Sequence, residues 1–321
     1  MKHALPGPVE EWFSRRTLGP TTSSLEDLVE LKRRRSQTVG VCLPALNEED
    51  TIGQICEVVS RNLMPAGLVD RLVVVDSGSE DSTREVAASA NAEVYQVADL
   101  LSEAGHSPGG GKGDALWRSL SVMDTDVIVW IDSDTKNFHD RFITELVAPL
   151  LHDPELKFAK AFYDRPIDKG GTLTTGGARV TEIALRPLLQ FFYPELAGFV
   201  QPLSGEYAIR TELARAIPFF TGYAVEIGLL IDILEAEGLD AMCQVDLGMR
   251  VHRNRDVLSL GRTSFQVMKA LILRAEAAGR IKLVDDLPSS MVQFNSSGNG
   301  PVPTVHDLDI AQRPPMVTLL P

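Results

Sequence analysis

The sequence lacks any apolar run approaching the ~20 residues that a membrane-crossing helix requires. Its first residues, which include Trp12, Phe13, Arg15 and Arg16, lack the apolar stretch and small-residue cleavage site of a secretory signal. A membrane-spanning protein is thereby excluded, and a cytoplasmic one is expected. Cysteine is scarce: Cys42, Cys56 and Cys243 have no metal-type spacing and are odd in number, which fits reduced thiols filling a core better than a disulfide framework. Basic residues are outnumbered, 31 Lys plus Arg against 44 Asp plus Glu, for a formal net charge of −13. That field repels a phosphate backbone, so nucleic acid is not an expected partner, although a few cations gathered in one cleft can still hold a small anion. No internal repeat of solenoid period is present.

Familiar nucleotide signatures are missing too. Pro44-Ala45-Leu46-Asn47-Glu48 follows the first apolar strand where a dinucleotide fold needs G-x-G-x-x-G, which argues against a dehydrogenase. Gly109-Gly110-Gly111-Lys112-Gly113 has Gly113 where a phosphate loop needs Ser or Thr for magnesium. The glycine-rich activation loop of a nucleotidyltransferase is likewise absent after that strand.

What is present is 321 residues with 44% hydrophobic content, enough for one large core or two smaller ones. Residues 1–37 read as a helical arm, with Leu25, Leu28 and Leu31 on one face and Lys32-Arg33-Arg34-Arg35 at its end. From 38 to 150, strands alternate with helices. Val39–Leu43, stopped by Pro44, leads to a helix capped by Asp50. Arg71–Val75 leads through Asp76-Ser77-Gly78-Ser79 to a helix over Asp81–Ala90, and Ala92–Val97 adds a strand. A helix over Asp114–Met123 precedes Val127–Ile131. Runs apolar on both faces predict an α/β fold, a doubly wound, mostly parallel sheet covered by helices on both sides. Residues 151–285 form a second half with a Gly-Thr-rich loop at 170–178 and helices near Thr181–Phe192 and Val225–Glu237. The tail from 286 to 321 is expected to lie along the surface or move.

Ligands bind such sheets outside the carboxyl ends of the strands, where the three polar turns should meet. One of these, Asp132-Ser133-Asp134, places carboxylates at i and i+2 on leaving a strand, so both can face one hard divalent cation. A cation there would bridge a nucleotide diphosphate and steady its departure.

These motifs together resemble the nucleotide-sugar site of the GT-A glycosyltransferases. Residues 38–260 more specifically resemble the glucosyl-3-phosphoglycerate synthase family, through Gly111-Lys112-Gly113-Asp114-Ala115-Leu116-Trp117, Gly176-Gly177-Ala178-Arg179-Val180-Thr181-Glu182, Gln201-Pro202-Leu203-Ser204-Gly205-Glu206-Tyr207, Gly222-Tyr223-Ala224-Val225-Glu226-Ile227-Gly228 and His252-Arg253-Asn254-Arg255. The resemblance implies a retaining, magnesium-dependent transferase, with manganese or cobalt able to replace magnesium. It would move glucose from UDP-glucose to the 2-hydroxyl of 3-phosphoglycerate, in compatible-solute or methylglucose lipopolysaccharide synthesis, as a homodimer.

By the same resemblance Pro44, Ala45, Leu46, Glu48 and Ser77 form the uridine pocket, Lys112 reaches the nucleotide or its phosphates, and Asp132, Ser133, Leu203 and Tyr223 complete the donor site. Asp134 and His252 hold the metal, and Asp134 and Glu226 stand at the reacting centre. Gly177, Ala178, Arg179, Thr181, Asn254 and Arg255 take the acceptor. The family normally has Gly where Ala178 stands. Related sequences use GDP-mannose on the same framework, and Ser204 resembles the glucosyl members. A non-catalytic nucleotide-sugar sensor would keep the uridine pocket and lose metal or acceptor groups, so the joint presence of Asp132, Asp134, His252 and Arg179 argues against one.

Overall fold

A computed structural model describes residues 7–105, 107, 110–164, 167–169, 172–174, 178–251, 256–297 and 300–320. The chain begins with α1 (Gly7–Arg16), β1 (Thr17–Leu18), α2 (Leu25–Arg34), β2 (Val39–Ala45), α3 (Glu49–Val58), β3 (Arg71–Asp76), α4 (Thr83–Ser89) and β4 (Glu93–Gln96). It continues through α5 (Gly111–Ser119), β5 (Val127–Trp130), α6 (Arg141–His152), β6 (Phe158–Asp164), the short β7 (Ile167–Lys169) and β8 (Thr172–Thr174), and α7 (Arg186–Phe192). The remainder comprises β9 (Tyr207–Arg210), α8 (Thr211–Ala216), β10 (Phe219–Phe220), α9 (Val225–Glu237), β11 (Met242–Met249), α10 (Val257–Ala277), β12 (Ser290–Ser297), β13 (Gly300–Asp307) and β14 (Gln312–Arg313).

Among the described residues, eight strands form one sheet in the order β1-β11-β6-β9-β5-β2-β3-β4. Strand β9 runs antiparallel to β5 and β6, and every other neighbouring pair is parallel. Alternation of side chains along each strand feeds two cores, one on each face. Cys42, Val73, Val75, Ile128 and Trp130 pack with Leu116 and Trp117 of α5, Leu230 of α9 and Leu271 of α10. Val39, Val41, Leu43, Val74, Val127 and Val129 pack with Ile52 and Ile55 of α3, Ala87 of α4 and Leu146 of α6. The expected fold class, a mostly parallel sheet sheathed by helices, is the one observed. All three cysteines are buried and unpaired, and burial pushes each thiol up to about 12. Among the described residues no helix is long and apolar enough to cross a membrane.

Several boundaries differ from the sequence expectation. Strand β2 runs through Pro44 to Ala45 by pairing with β3 that far, while its pairing with β5 ends at Cys42. The missing proline donor falls beyond the β5 ladder, where Ser133 Oγ donates to Pro44 O at 2.8 Å. Helix α3 is entered at Glu48, two residues before the cap expected at Asp50. Helix α5 begins at Gly111 rather than Asp114, so part of the glycine run is a helical turn.

The first and last described segments are tied into the fold. Trp12 packs on Phe199 and donates through Nε1 to Met242 O at 3.1 Å, and Thr17–Leu18 adds a parallel strand beside β11. Beyond Leu287, β12 and β13 form a hairpin exposing Val292, Phe294 and Val305, as a surface tail would. The last stretch does not behave as a surface tail: β14 pairs with β10, and Met316 is buried in the core.

Candidate active site

The loops after β2, β3 and β5 meet at the carboxyl edge of the sheet because their polar groups bond to one another. Ser77 N donates to Ala45 O at 2.9 Å, Asn47 N to Ser79 Oγ at 2.9 Å, Glu48 N to Thr83 Oγ1 at 2.8 Å and Thr51 Oγ1 to Ser133 O at 2.5 Å. Asp76 is fully buried and spends its carboxylate on its own turn, accepting from Gly78 N and Ser79 N at 3.0 Å each. On this stitched platform Ala45 is buried, Pro44, Glu48 and Ser77 are half-buried, and Leu46 is exposed.

Beside it, Asp132 and Asp134 converge on one nitrogen. Arg250 Nη2 lies 3.2 Å from Asp132 Oδ2 and 2.6 Å from Asp134 Oδ1. The same guanidinium, itself buried, reaches Glu206 Oε1 through Nε at 2.8 Å and donates to Thr135 Oγ1 at 3.0 Å. Tyr163 OH donates to the other Glu206 oxygen at 2.6 Å. Gly205 lies against Asp132 so closely that a Cβ there would overlap the carboxylate.

Lys112 closes the cluster from the other side. Its ammonium bridges Asp132 Oδ1 and Glu226 Oε1, the latter at 2.6 Å. Burial opposes the Lys112 charge, but Asp132 and Glu226 outweigh it and hold the pKa well above that of an ordinary lysine. The sequence suggested a permissive loop reaching for phosphate. Instead Lys112 stands on the first turn of α5, which lies so close to Phe220 that a Cβ at Gly113 would overlap the Phe220 carbonyl. The glycine there serves close packing.

Lys160 lies beneath this cluster, buried, donating to Ser204 O at 2.8 Å and set 4.5 Å over the Tyr207 ring. Burial lowers its pKa to about 7, against the pull of Glu226, Glu206 and Asp132, with Lys112 adding to the lowering. Between about pH 7 and the ordinary lysine value of ~10.4 the unfolded chain keeps a proton that folded Lys160 has lost, so stability rises with pH across that window. Thermal melts at pH 6.5, 8 and 9.5 should show the wild type gaining on Lys160→Met as pH increases. Parallel curves for the two proteins would refute this.

The donor set suits a hard divalent ion. Of the described residues, Asp132 and Asp134 offer such an ion two carboxylates, both now in contact with Arg250 Nη2, and among the described residues no three candidate ligands converge.

Where the sequence resemblance puts the acceptor, Ala178 adopts φ 58°, the left-handed region, and its carbonyl accepts from Glu182 N at 3.0 Å at the head of the helical turns leading to α7. The Cβ of an L-residue is strained there, which gives a physical reason for glycine at this position. Ala178→Gly should raise stability by roughly 0.5–1 kcal/mol, read as a higher urea midpoint at unchanged slope; an unchanged or lower midpoint would count against strain. Arg179 is half-buried and Thr181 buried on the same turns. Leu203 packs on the core, and Tyr223 is partly exposed, its backbone N–H donating to Gln266 Oε1 at 3.2 Å. Gly177, His252, Asn254 and Arg255 lie outside the described residues.

Sequence reasoning missed Arg250, Glu206 and Lys160. Each carried a faint signal: Lys160 is the one charge in Phe158-Ala159-Lys160-Ala161-Phe162, Glu206 sits between Gly205 and a buried Tyr207, and Arg250 precedes His252 by two residues.

Residues 40–195 match the family described as Glycosyl transferase family 2. A glucosyl-3-phosphoglycerate synthase of Petrotoga mobilis is 42% identical over 298 residues, covering 92% of this chain and 91% of that protein. Among solved structures, mannosyl-3-phosphoglycerate synthase from Rubrobacter xylanophilus superposes with a TM-score of 0.90 at 40% identity, covering 98% of this chain and 99% of that one. Glucosyl-3-phosphoglycerate synthase from Mycobacterium tuberculosis, in complex with Mn2+, UDP-glucose and phosphoglyceric acid, superposes with a TM-score of 0.81 at 40% identity, covering 93% and 96%. With a GT-A sheet, paired aspartates at its carboxyl edge and this similarity along nearly its whole length, the chain belongs to the glucosyl-3-phosphoglycerate synthase family.

Proposed function

We propose that this protein transfers glucose from UDP-glucose to the 2-hydroxyl of 3-phosphoglycerate with retention of anomeric configuration. The observation that carries the reading is the convergence of Asp132 and Asp134 on a single cationic nitrogen, with the Lys112–Glu226 pair alongside. Asp134, with Asp132 and His252, would hold a divalent cation, Mg2+ or Mn2+, whose chemistry when bound is to neutralise charge on the leaving diphosphate.

The chain's own groups do the rest. Lys112 is a point charge on a flexible stem that can pass from a carboxylate to a phosphate oxygen. Glu226, in the first turn of α9 and 5% exposed, orients the acceptor hydroxyl or the sugar. Arg179 and Thr181, on the turns headed by Ala178, receive the acceptor's phosphate and carboxylate. The bond from glucose C1 to the phosphate oxygen breaks while that from C1 to the acceptor oxygen forms on the same face. The acceptor proton passes to the departing phosphate, so no covalent protein nucleophile is required.

Purified protein incubated with 3-phosphoglycerate and Mg2+ or Mn2+ should yield glucosyl-3-phosphoglycerate from UDP-glucose. Because the Rubrobacter xylanophilus structure bears a mannosyl name, GDP-mannose forms the second arm. Faster transfer from GDP-mannose would reassign the donor, and no transfer from either would reject the reading.

A further inference from the structure

We propose that Arg313, near the end of the chain, is a positioning residue for this transfer, holding Lys112 and Glu226 against each other through two different elements. The inference rests on the functional reading above.

The side chain of Arg313 faces one element. Its Nε lies 2.7 Å from Asp114 Oδ1, and its Nη2 donates to Ser107 O at 2.8 Å. Asp114 is fully buried, two residues after Lys112 on the first turn of α5, and its other oxygen accepts from Arg118 Nε at 2.9 Å. With one oxygen taken by its own helix, Asp114 leaves the second for a partner from outside, and that partner is Arg313. Trp117 Nε1 donates to Pro314 O at 2.8 Å, and the Arg313 guanidinium stands 5.6 Å from the Trp117 ring, so two successive residues grip the same helix.

The backbone of Arg313 faces the other element. Arg313 pairs with Phe219 and Gln312 with Phe220, and Thr221 N donates to Ala311 O at 2.9 Å while Ala311 N donates to Thr221 Oγ1 at 2.9 Å. The paired strand β10 leads through a single 3-10 turn, Gly222–Ala224, into α9 and Glu226. Where the two elements meet, Gly222 N donates to Gly110 O at 2.5 Å. The Lys112–Glu226 bridge therefore joins two elements that one arginine ties together, by side chain on one side and main chain on the other. Buried charge pairs of this sort fix geometry more than they add stability, and an error near 1 Å at a reacting centre can cost about 100-fold in rate.

The test compares Arg313→Ala, Arg313→Lys and Asp309→Ala. The last breaks an exposed ion pair to Lys269 in the same segment without touching α5. Steady-state kinetics with UDP-glucose and 3-phosphoglycerate should give a kcat about 10- to 100-fold lower in Arg313→Ala, with KM for UDP-glucose changed less than about threefold. Arg313→Lys should recover part of the loss and Asp309→Ala should match the wild type. Acetylation of Lys112 by an amine-reactive reagent, followed by mass spectrometry, reads the same geometry without catalysis and should be faster in Arg313→Ala. Unchanged kcat and unchanged labelling in Arg313→Ala overturn the proposal, as do equal losses in Asp309→Ala. If Arg313→Ala fails to fold, Arg313→Lys decides: wild-type kcat and labelling there overturn it. A wild type without transfer activity would sink the functional reading instead, and Lys112 labelling would still judge Arg313.

Discussion

Asp134→Asn should lower transfer about 1,000-fold, an effect of ~4 kcal/mol and typical of what a catalytic cation supplies. The substitution keeps an oxygen that can accept from Arg250 Nη2, now 2.6 Å from Asp134 Oδ1, so the local architecture has little reason to change. What it removes is the negative charge that makes a divalent ion worth binding. Loss of activity should therefore coincide with loss of Mn2+-dependent UDP binding by calorimetry, with far-UV and near-UV circular dichroism unaltered. Retention of a tenth of wild-type activity at saturating Mn2+ would place the essential cation elsewhere.

Arg250→Met should act in the opposite sense on the metal and, unlike Asp134→Asn, should destabilise the fold. Removing one guanidinium takes a shared cation from Asp132, Asp134 and Glu206 and leaves a buried gap, and breaking such a buried set costs about 3–5 kcal/mol. Burial already raises the pKa of Glu206, with Asp132 adding to the rise, while Arg250 and the hydrogen bond from Tyr163 pull it back. Without the arginine the carboxyl groups need another cation. Mn2+ should bind the variant more tightly and raise its melting temperature by more than it raises that of the wild type, because a ligand stabilises the folded state in proportion to the logarithm of its saturation. Equal Mn2+-induced shifts in the two proteins would falsify the idea that Arg250 occupies the metal's electrostatic place.

The sheet was legible because Val39–Leu43, Leu72–Val75 and Val127–Ile131 are short apolar runs bounded by polar turns, as strands buried on both faces are. Asp132-Ser133-Asp134 was legible because the chemistry is local, two carboxylates one residue apart at a strand's end. Arg250 was not, since it lies more than 110 residues from the aspartates it binds and nothing in its neighbours reports that distance. The glycine run was misread for a related reason. Glycine permits both a loop and a tight approach, and only the position of Phe220 decides between them. The composition of the last residues suggested a surface tail, yet two short strands and one buried ion pair are enough to anchor them.

The pairing of Thr17 with Gln244 and of Leu18 with Val245 has a consequence for biogenesis. On the ribosome the first strand emerges long before its neighbour is translated, while β2, β3 and β5 can already assemble. The nascent chain must therefore carry an unmatched sheet border, the kind of edge that recruits other polypeptides, until residue 245 leaves the exit tunnel. Synthesis stalled before that point would release a species with β2, β3 and β5 assembled and an open flank, a natural client for chaperones.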